Sequence, residues 1–515
     1  MRAAANPTAI AVFVAMFALV TGVGFFAARW RAGDLTQLHE WGLAGRRFGV
    51  LTSWVLIGGD FYTAYAVIAV PAAVYGRGAP GFFAISYAVL VYPIVFVTMP
   101  RLWNVCLRHG FITPADFVRG RYGSDALALA VAVTGILATL PYVALQLVGM
   151  QAVIADLGIG GSGIAHEAPL VVAFAILAAY TYSSGLRAPA AIAFVKDVAM
   201  YAVIIVAVVV IPMRLGGYAA IFHAADVHFA GAARASAGPP AATAGIILAS
   251  DGYWRYATLA LGSALAAFMY PHTITTVLAS SSGDVIKRNA VLLPLYTVLF
   301  GGMALLGLMA IAAHVVVRVP NDAVPALFAA MFPPWFVGFA FATIAVAALV
   351  PAAVMSIAAA NLWTRNVYKA YLRPHATPAD EARTAKFASL VLKAGALAFI
   401  FAVPQTYAID MQLLGGMWIL QTLPAIAGGI LTRFFHHGAL LAGWCAGMML
   451  GTALSFSHGF APAIPLHAFG AAIDAYVGLV ALALNLTVAT GLTFAFDAAK
   501  IARRPDATVP ADYRG

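Results

Sequence analysis

The sequence predicts an all-α polytopic membrane protein. Of its 515 residues, 63% are hydrophobic and only 9% are charged, whereas an ordinary soluble domain carries about 25% charged residues. Apolar runs of roughly 20 residues, the length that crosses about 30 Å of hydrocarbon, recur along the whole chain. We predict thirteen spans, at residues 8–28, 50–75, 80–100, 126–157, 167–184, 194–214, 255–279, 290–317, 334–363, 386–403, 408–432, 438–458 and 473–497.

Basic residues are distributed unevenly among the loops between these spans. Clusters of arginine and lysine follow spans 1, 3, 9 and 13, whereas the alternate loops hold only scattered basic residues. This positive-inside bias predicts an outer N-terminus and a cytoplasmic C-terminus in a bacterial-type inner membrane. Topology thus accounts for the net charge of +10. The expected partner is the lipid bilayer, with no nucleic acid and no obligatory protein partner.

Two segments outside the spans are predicted to be irregular. The segment 215–253 is rich in small residues, proline and glycine, which indicates a partly ordered outer loop. The cytoplasmic tail, residues 498–515, has the composition of a short disordered segment.

Two spans are interrupted at corresponding positions. Span 2 contains Gly58 and Gly59, and span 7 contains Pro271, which removes a helical hydrogen bond. An offset of five spans between two interrupted helices predicts inverted repeats with a substrate site between them at the midplane. The predicted single transporter domain comprises a peripheral span at 8–28, repeat one at about 50–214, repeat two at about 255–432 and peripheral spans within 438–497.

The first interruption places Asp60 directly after the glycine pair. A carboxylate near the bilayer centre costs about 2.5–3.5 kcal/mol, so it requires a partner or a water-filled cavity. Unwinding at Gly58 and Gly59 frees backbone carbonyls for a cation and half-helix ends for a substrate. The alternative is an Asp60 that lies near a helix end and is simply solvated.

Polar residues in other spans add candidates for an ion site. Ala353 and Ser356 lie on one face of span 9, where a carbonyl and a hydroxyl suit a small cation. In span 6, Asp197 is a candidate to support that site. The adjacent Lys196 could titrate if it is desolvated, whereas snorkelling to the interface is the alternative.

Candidates for substrate contact lie in spans 4, 7 and 11. Tyr142 and Gln146 share one helix face, and Gly149 allows close approach of another helix. The alternative is that these polar side chains form hydrogen bonds between helices and do not contact substrate. Tyr270 and His272 flank the proline break. The set of predicted substrate residues is Gly59, Asp60, Tyr142, Gln146, Tyr270, His272, Trp418 and Gln421, with Gln412 a weaker candidate.

Seven ordered stretches are similar to one transporter family. They are GGDFYTAYAVIAVPAAVYGRG in span 2, RHGFITPADFVRGRYG after span 3, YVALQLVG in span 4, SSGLRAPAAIAFVKD before span 6, MYPHTITTVLASSS in span 7, AAVMS in span 9 and RFFHHGALLAGWCAGMMLG after span 11. The chain resembles the sodium:solute symporter family, and within it the bacterial permeases for lactate, pyruvate and similar acids.

This resemblance implies a LeuT-type fold of two inverted five-helix repeats and a specific cation site. Members that use sodium often have a second hydroxyl where this chain has Ile357, and some relatives of the fold replace the ion with a lysine on the helix that carries Lys196. Na⁺ and H⁺ therefore both stay open as the coupling ion. The Na⁺ ligands implied by the resemblance are Gly58, Phe61, Ala353 and Ser356, with Asp60 and Asp197 matching acidic positions of the family.

The expected function is symport of a short-chain monocarboxylate with Na⁺ or H⁺ by alternating access. No nucleophile–base pair, metal-ligand cluster or phosphate-binding loop is present in the sequence, so an enzyme is not expected. The alternatives are a proline- or alanine-like amino-acid symporter and a transporter-like sensor that does not transport.

Overall fold

Helices form almost all of the structure, because backbone groups in hydrocarbon must be hydrogen-bonded within their own segment. The computed structural model describes residues 6–29, 33–59, 61–158, 168–235, 244–402, 408–468 and 471–514. Within these residues, nine helices are long and apolar enough to cross a membrane by length and composition. Shorter apolar helices and broken pairs of helices account for the other predicted spans.

The first half of the chain contains ten helices and the first break. A π-helical stretch, Tyr65–Ala69, precedes α4. The helices are α1 (Pro7–Phe26), α2 (Leu38–Leu43), α3 (Val50–Gly59), α4 (Val70–Arg77), α5 (Phe83–Arg108), α6 (Pro114–Tyr122), α7 (Asp125–Asp156), α8 (Ala168–Ser184), α9 (Arg187–Arg214) and α10 (Tyr218–Ala235).

The second half contains the second break and a small antiparallel hairpin in which Ala463 lies opposite Tyr476. A π-helical stretch, Thr364–Leu372, extends α16. The elements are α11 (Tyr253–Ala267), α12 (Pro271–Leu278), α13 (Gly283–Leu292), α14 (Pro294–Ala312), α15 (Ala323–Met331), α16 (Pro334–Trp363), α17 (Pro378–Ala402), α18 (Ala408–Ile419), α19 (Leu423–Leu431), α20 (His437–Ser457), β1 (Ala463–Ala468), β2 (Ala471–Tyr476) and α21 (Val477–Ala498).

Each of the thirteen predicted spans coincides with one helix or with a pair of consecutive helices. Span 2 is divided into α3 and α4, and span 7 into α11 and α12, at the glycine pair and at the proline. Helix α16 is almost entirely buried and packs against α1, α7, α9 and α17. Helix α3 packs against α9, and α12 packs against α16, so both broken helices lie beside the centre of the bundle.

The segment 215–253, predicted to be a partly ordered outer loop, contains the helix α10. Ile221, Ala225 and Phe229 follow a spacing of four residues and form a buried face, and α10 packs with α14. Helical periodicity within this segment therefore outweighs its content of small residues. Residues 236–243 lie outside the described part of the chain.

The C-terminal segment is also ordered, contrary to the prediction of a disordered tail. The Ala507 amide donates to the Gly120 carbonyl at 2.8 Å, and Arg121 Nη1 lies 2.6 Å from Asp506 Oδ2. His109 Nε2 lies 2.9 Å from Asp512 Oδ2, and this hydrogen bond lowers the pKa of Asp512 to about 2. These contacts hold residues 501–514 against α5 and α6, on the surface that we call the basic face.

We predict that close approach of α7 to the first broken helix requires Gly149. A Cβ atom at Gly149 would lie 2.3 Å from the Ala64 Cβ, whereas a Cβ at Gly22 in α1 would have nothing within 4 Å. Overpacking typically costs about 1–3 kcal/mol. Gly149→Ala should therefore lower the Tm of the purified protein in detergent, and Gly22→Ala should leave it equal or higher. Equal Tm values for the two variants would contradict the packing described here.

Candidate ion and substrate site

Hydrogen bonds satisfy backbone groups on both sides of the first break, which lies between α3 and α4. The Phe61 amide donates to the Gly58 carbonyl at 2.9 Å, which makes a tight turn at the end of α3. Beyond the break, the Ala64 amide donates to Gln146 Oε1 at 3.2 Å and the Tyr65 amide donates to Thr63 Oγ1 at 3.0 Å. Side-chain oxygens thus accept hydrogen bonds from the amide groups at the start of the half-helix that follows the break.

Lys196 provides the positive charge at this break. Its Nζ donates to the Gly59 carbonyl at 2.7 Å and to the Tyr62 carbonyl at 3.2 Å, and it lies 3.1 Å from Asp197 Oδ1. The side chain is 0% exposed, so snorkelling to the interface does not occur. The ammonium binds carbonyls that the unwound backbone cannot satisfy itself.

Asp197 and Tyr296 complete this cluster. The Tyr296 hydroxyl donates to Asp197 Oδ2 at 2.6 Å, and the Tyr62 hydroxyl donates to the Tyr296 carbonyl at 2.9 Å. Tyr296 is not among the residues predicted from the sequence, because a single tyrosine shortly after a proline in an apolar span carries no distinguishing signal. Its hydroxyl gives the buried carboxylate a second partner besides Lys196.

The glycine pair makes room for this cluster. A Cβ at Gly58 would lie 2.1 Å from the Tyr296 ring, and a Cβ at Gly59 would lie 2.8 Å from Lys196 Nζ. Gly58 therefore allows the aromatic ring to lie against α3, and Gly59 allows the ammonium to reach the backbone.

The predicted Na⁺ ligands lie on α3, on the turn after it and on α16. Lys196 binds the carbonyls of Gly59 and Tyr62, each one residue beyond the predicted ligands Gly58 and Phe61. On α16, the Ser356 hydroxyl donates to the Ala353 carbonyl at 2.8 Å. All four proposed donors are oxygen atoms, the type that a hard cation prefers. Asp60 lies outside the described residues.

A second buried lysine, which is not among the residues predicted from the sequence, lies behind Ser356. Lys393 Nζ donates to Ser389 Oγ at 2.7 Å, and the Ser389 hydroxyl lies 3.4 Å from Ser356 Oγ. Lys393 is 3% exposed. The available signal in the sequence was the position of Lys393, a charged residue, within predicted span 10.

A small cavity lies between the two broken helices. Of the predicted substrate residues, Tyr142, Tyr270 and His272 line it together, with ring centroids 5.2–5.4 Å apart. None of the described lining residues is charged. The full lining is Ile57, Phe61, Tyr87, Val91, Val95, Tyr142, Ala267, Tyr270, His272, Thr273, Val277, Leu293 and Gln412.

The second break presents polar groups to this cavity. Helix α12 begins at Pro271, and its first backbone hydrogen bond beyond the break runs from the Ile274 amide to the Tyr270 carbonyl at 3.1 Å. The amides of His272 and Thr273 precede that bond and stand at the positive end of the helix. Among the described residues, His272 Nδ1 and Gln412 Oε1 are buried without a hydrogen-bond partner.

Four of the described substrate candidates do not line this cavity: Gly59, whose carbonyl accepts from Lys196, and three residues with polar side chains. Gln146 lies in the bundle interior, where its side chain binds the Ala64 amide. Trp418 Nε1 donates to Thr452 Oγ1 at 3.1 Å on the side facing α20. Gln421 Nε2 donates to the Gly478 carbonyl at 3.3 Å, next to α21. Their polar atoms are thus bonded within the protein.

Comparison with known proteins identifies the family. The model of the sodium:solute symporter family matches residues 41–451. The chain belongs to this family. It is therefore a multi-pass membrane transporter and a cation-coupled symporter.

Curated relatives align over nearly the whole length of the symporter chain. It is 54% identical over 485 residues to the "Monocarboxylate transport permease protein" of Rhizobium johnstonii, with 94% of this chain and 96% of the relative covered. It is 32% identical over 444 residues to the "Uncharacterized symporter YodF" of Bacillus subtilis, with 86% and 87% covered.

A solved structure confirms the LeuT-type fold of the symporter. The structure of a Na⁺-coupled sialic acid symporter in a substrate-bound outward-open state matches with a TM-score of 0.74. It covers 96% of this chain and 99% of that one at 14% identity. At this identity the likeness concerns the fold alone.

We predict strong coupling between Lys196 and Asp197. Removing one partner of a buried ion pair leaves the other charge uncompensated and typically costs about 3–5 kcal/mol. Lys196→Met and Asp197→Asn should each lower the Tm in detergent, and the double variant should lose much less than the sum of the two single losses. Strictly additive losses of Tm would show that the two side chains do not form a pair.

Proposed function

We propose that the protein imports a short-chain monocarboxylate of the lactate or pyruvate type together with a cation by alternating access. The Rhizobium relative, whose printed name specifies monocarboxylate transport, supports this substrate class. The single structural observation that carries the proposal is an uncharged cavity onto which the open N-terminus of α12 faces.

The carboxylate of the substrate binds at the start of α12. The amides of His272 and Thr273, the partnerless His272 Nδ1 and the positive end of the helix favour an anion there. Tyr142 and Tyr270 enclose the rest of a small acid. With no described lysine or arginine in the lining, backbone amides replace a side-chain clamp for the carboxylate.

The coupling ion is Na⁺, ligated by Gly58, Phe61, Ala353 and Ser356. The family description supports sodium, and the four donors are oxygen atoms. Asp197 and Lys196 form a paired cluster next to this site, at 3.1 Å from each other. Coupling requires that the ion and the acid each favour the state that binds the other, which is a reciprocal free energy.

A proton carried by Lys196 is the second candidate for coupling. The contacts of its ammonium with two carbonyls of the break favour this candidate, because loss of the proton would remove the charge that holds the break. The presence of Ile357, where members that use sodium often have a hydroxyl, also favours proton coupling.

The protein acts in a bacterial-type inner membrane with the basic face toward the cytoplasm and the N-terminus outside. The arginine clusters of α5, α6 and the C-terminal segment support this orientation through the positive-inside rule. Import then runs from the side opposite the basic face.

Uptake by proteoliposomes tests this function. We expect labelled lactate or pyruvate to accumulate under an inward Na⁺ gradient, because Na⁺ and the acid stabilise the same state. Accumulation under a proton gradient without Na⁺, and its loss in Lys196→Met, would transfer the coupling to Lys196. Uptake of proline or alanine and of neither acid would overturn the assignment of the substrate.

A variant at the start of α12 tests the carboxylate site. His272→Phe keeps a ring of similar size without nitrogen atoms, so the partnerless Nδ1 is lost. A hydrogen bond to a charged group is worth about 1.5–3 kcal/mol, so its loss should raise the KM for uptake about tenfold or more. Trp418→Phe is the matched control because Trp418 contacts Thr452 outside the cavity. An unchanged KM in His272→Phe would place the carboxylate away from His272.

A further inference from the structure

The C-terminal segment forms one wall of a second cavity, which lies on the basic face and is open to its surroundings. The end of α19, the last third of α5 and Arg121 of α6 form the other walls. Four of the lining residues are arginines. The full lining is Arg101, Arg121, Gly429, Ile430, Leu431, Thr432, Arg433, Pro510, Tyr513 and Arg514.

Two of these arginines are held in place by the protein. Arg121 donates to the Gly429 carbonyl at 3.1 Å and to the Thr432 carbonyl at 2.8 Å, and it lies 2.6 Å from Asp506. Arg433 Nη2 donates to the Thr508 carbonyl at 2.9 Å. Backbone carbonyls fix both guanidinium groups, and the single carboxylate of Asp506 offsets one of their two positive charges, so this side of the cavity keeps a net positive charge.

The other two arginines have guanidinium groups without a protein partner. Among the described residues, no hydrogen bond or ion pair is made by the side chains of Arg101 and Arg514. Asp506 is the carboxylate that approaches Arg121 and Arg433, at 2.6 and 3.6 Å. Grouping four guanidinium ions around one cavity is unfavourable unless anions offset their charge, and among the described carboxylates only Asp506 forms an ion pair with any of the four.

The cavity has an apolar side as well as a cationic one. Ile430 and Leu431 line it, and Leu431 is 49% exposed. Arg101 lies about two helical turns before the end of α5 at Arg108 and directly follows predicted span 3, so the cavity lies at the end of that span, the level expected for lipid headgroups. A ligand that fits both sides has an anionic headgroup and a hydrocarbon chain.

We infer that this cavity binds the phosphate headgroup of an anionic phospholipid. Arginine forks match phosphate oxygens in bidentate geometry, and basic cavities between membrane helices are suited to such headgroups. Arg101 and Arg514 bind the phosphate, Arg121 and Arg433 supply a fixed field, and the acyl chain passes along Ile430 and Leu431. The site is separate from the substrate cavity and does not depend on the proposed function.

Thermal unfolding in detergent with added lipid tests this site. We expect phosphatidylglycerol or cardiolipin, but not phosphatidylcholine, to raise the Tm of the wild-type protein. The double variant Arg101→Ala/Arg514→Ala should bind the anionic lipid about tenfold more weakly or worse, since two charged contacts are lost. The matched control is Arg373→Ala, because Arg373 is an exposed arginine outside this cavity, with a side chain 61% exposed.

Other results would overturn the inference. Equal Tm shifts with phosphatidylglycerol and phosphatidylcholine would exclude recognition of the anionic headgroup. A shift with inorganic phosphate that anionic lipid does not increase would assign the site to a free anion instead. Equal loss of the lipid effect in Arg373→Ala would show a diffuse surface charge. Arg101→Gln alone, which changes one exposed side chain, provides a milder variant if the double variant is poorly folded.

Discussion

The ammonium group of Lys196 at the first break is the interaction on which the centre of the structure depends. An unwound stretch inside a bundle exposes carbonyls that water cannot reach, and a lone buried charge is equally unfavourable. Here the ammonium of Lys196 satisfies two of these carbonyls, and Asp197 balances the charge of the ammonium. Tyr296 completes the set by donating to Asp197. The cluster ties α3, α9 and α14 together at the point where the helix is interrupted.

The two breaks have different chemistry, although they occupy corresponding positions in the repeats. At the first break, Gln146 and Thr63 accept the amides and Lys196 binds the carbonyls. At the second, the amides at the start of α12 face a cavity without a described charge in its lining. This difference suits the first break to cations and the second to an anion, which is the division that a symporter of an acid requires.

The sequence predicts those features whose cause is local. Glycine and proline interrupt helices by their own backbone properties, so both breaks and their offset could be located. The pairing of Lys196 with Asp197 was not foreseen, because neighbouring helical residues point about 100° apart. The long lysine stem nevertheless brings Nζ back to within 3.1 Å of the carboxylate.

Other parts of the site depend on contacts between distant helices, which the pattern of residues within one helix does not reveal. In spans that are apolar on every side, periodicity gives no direction, so Trp418 and Gln421 could not be separated from Tyr142 and His272. Their partners, Thr452 and Gly478, belong to distant helices. The order of the C-terminal segment likewise comes from its contacts with Arg121 and Gly120, and composition alone suggested disorder.

The most direct test of the role of Lys196 is amide hydrogen exchange, compared between the wild-type protein and Lys196→Met. If the ammonium holds the first break, the variant should lose protection in peptides around 57–66 while peptides around 268–275 keep theirs, because local opening sets exchange. Unchanged protection around 57–66 in a folded Lys196→Met protein would contradict the account.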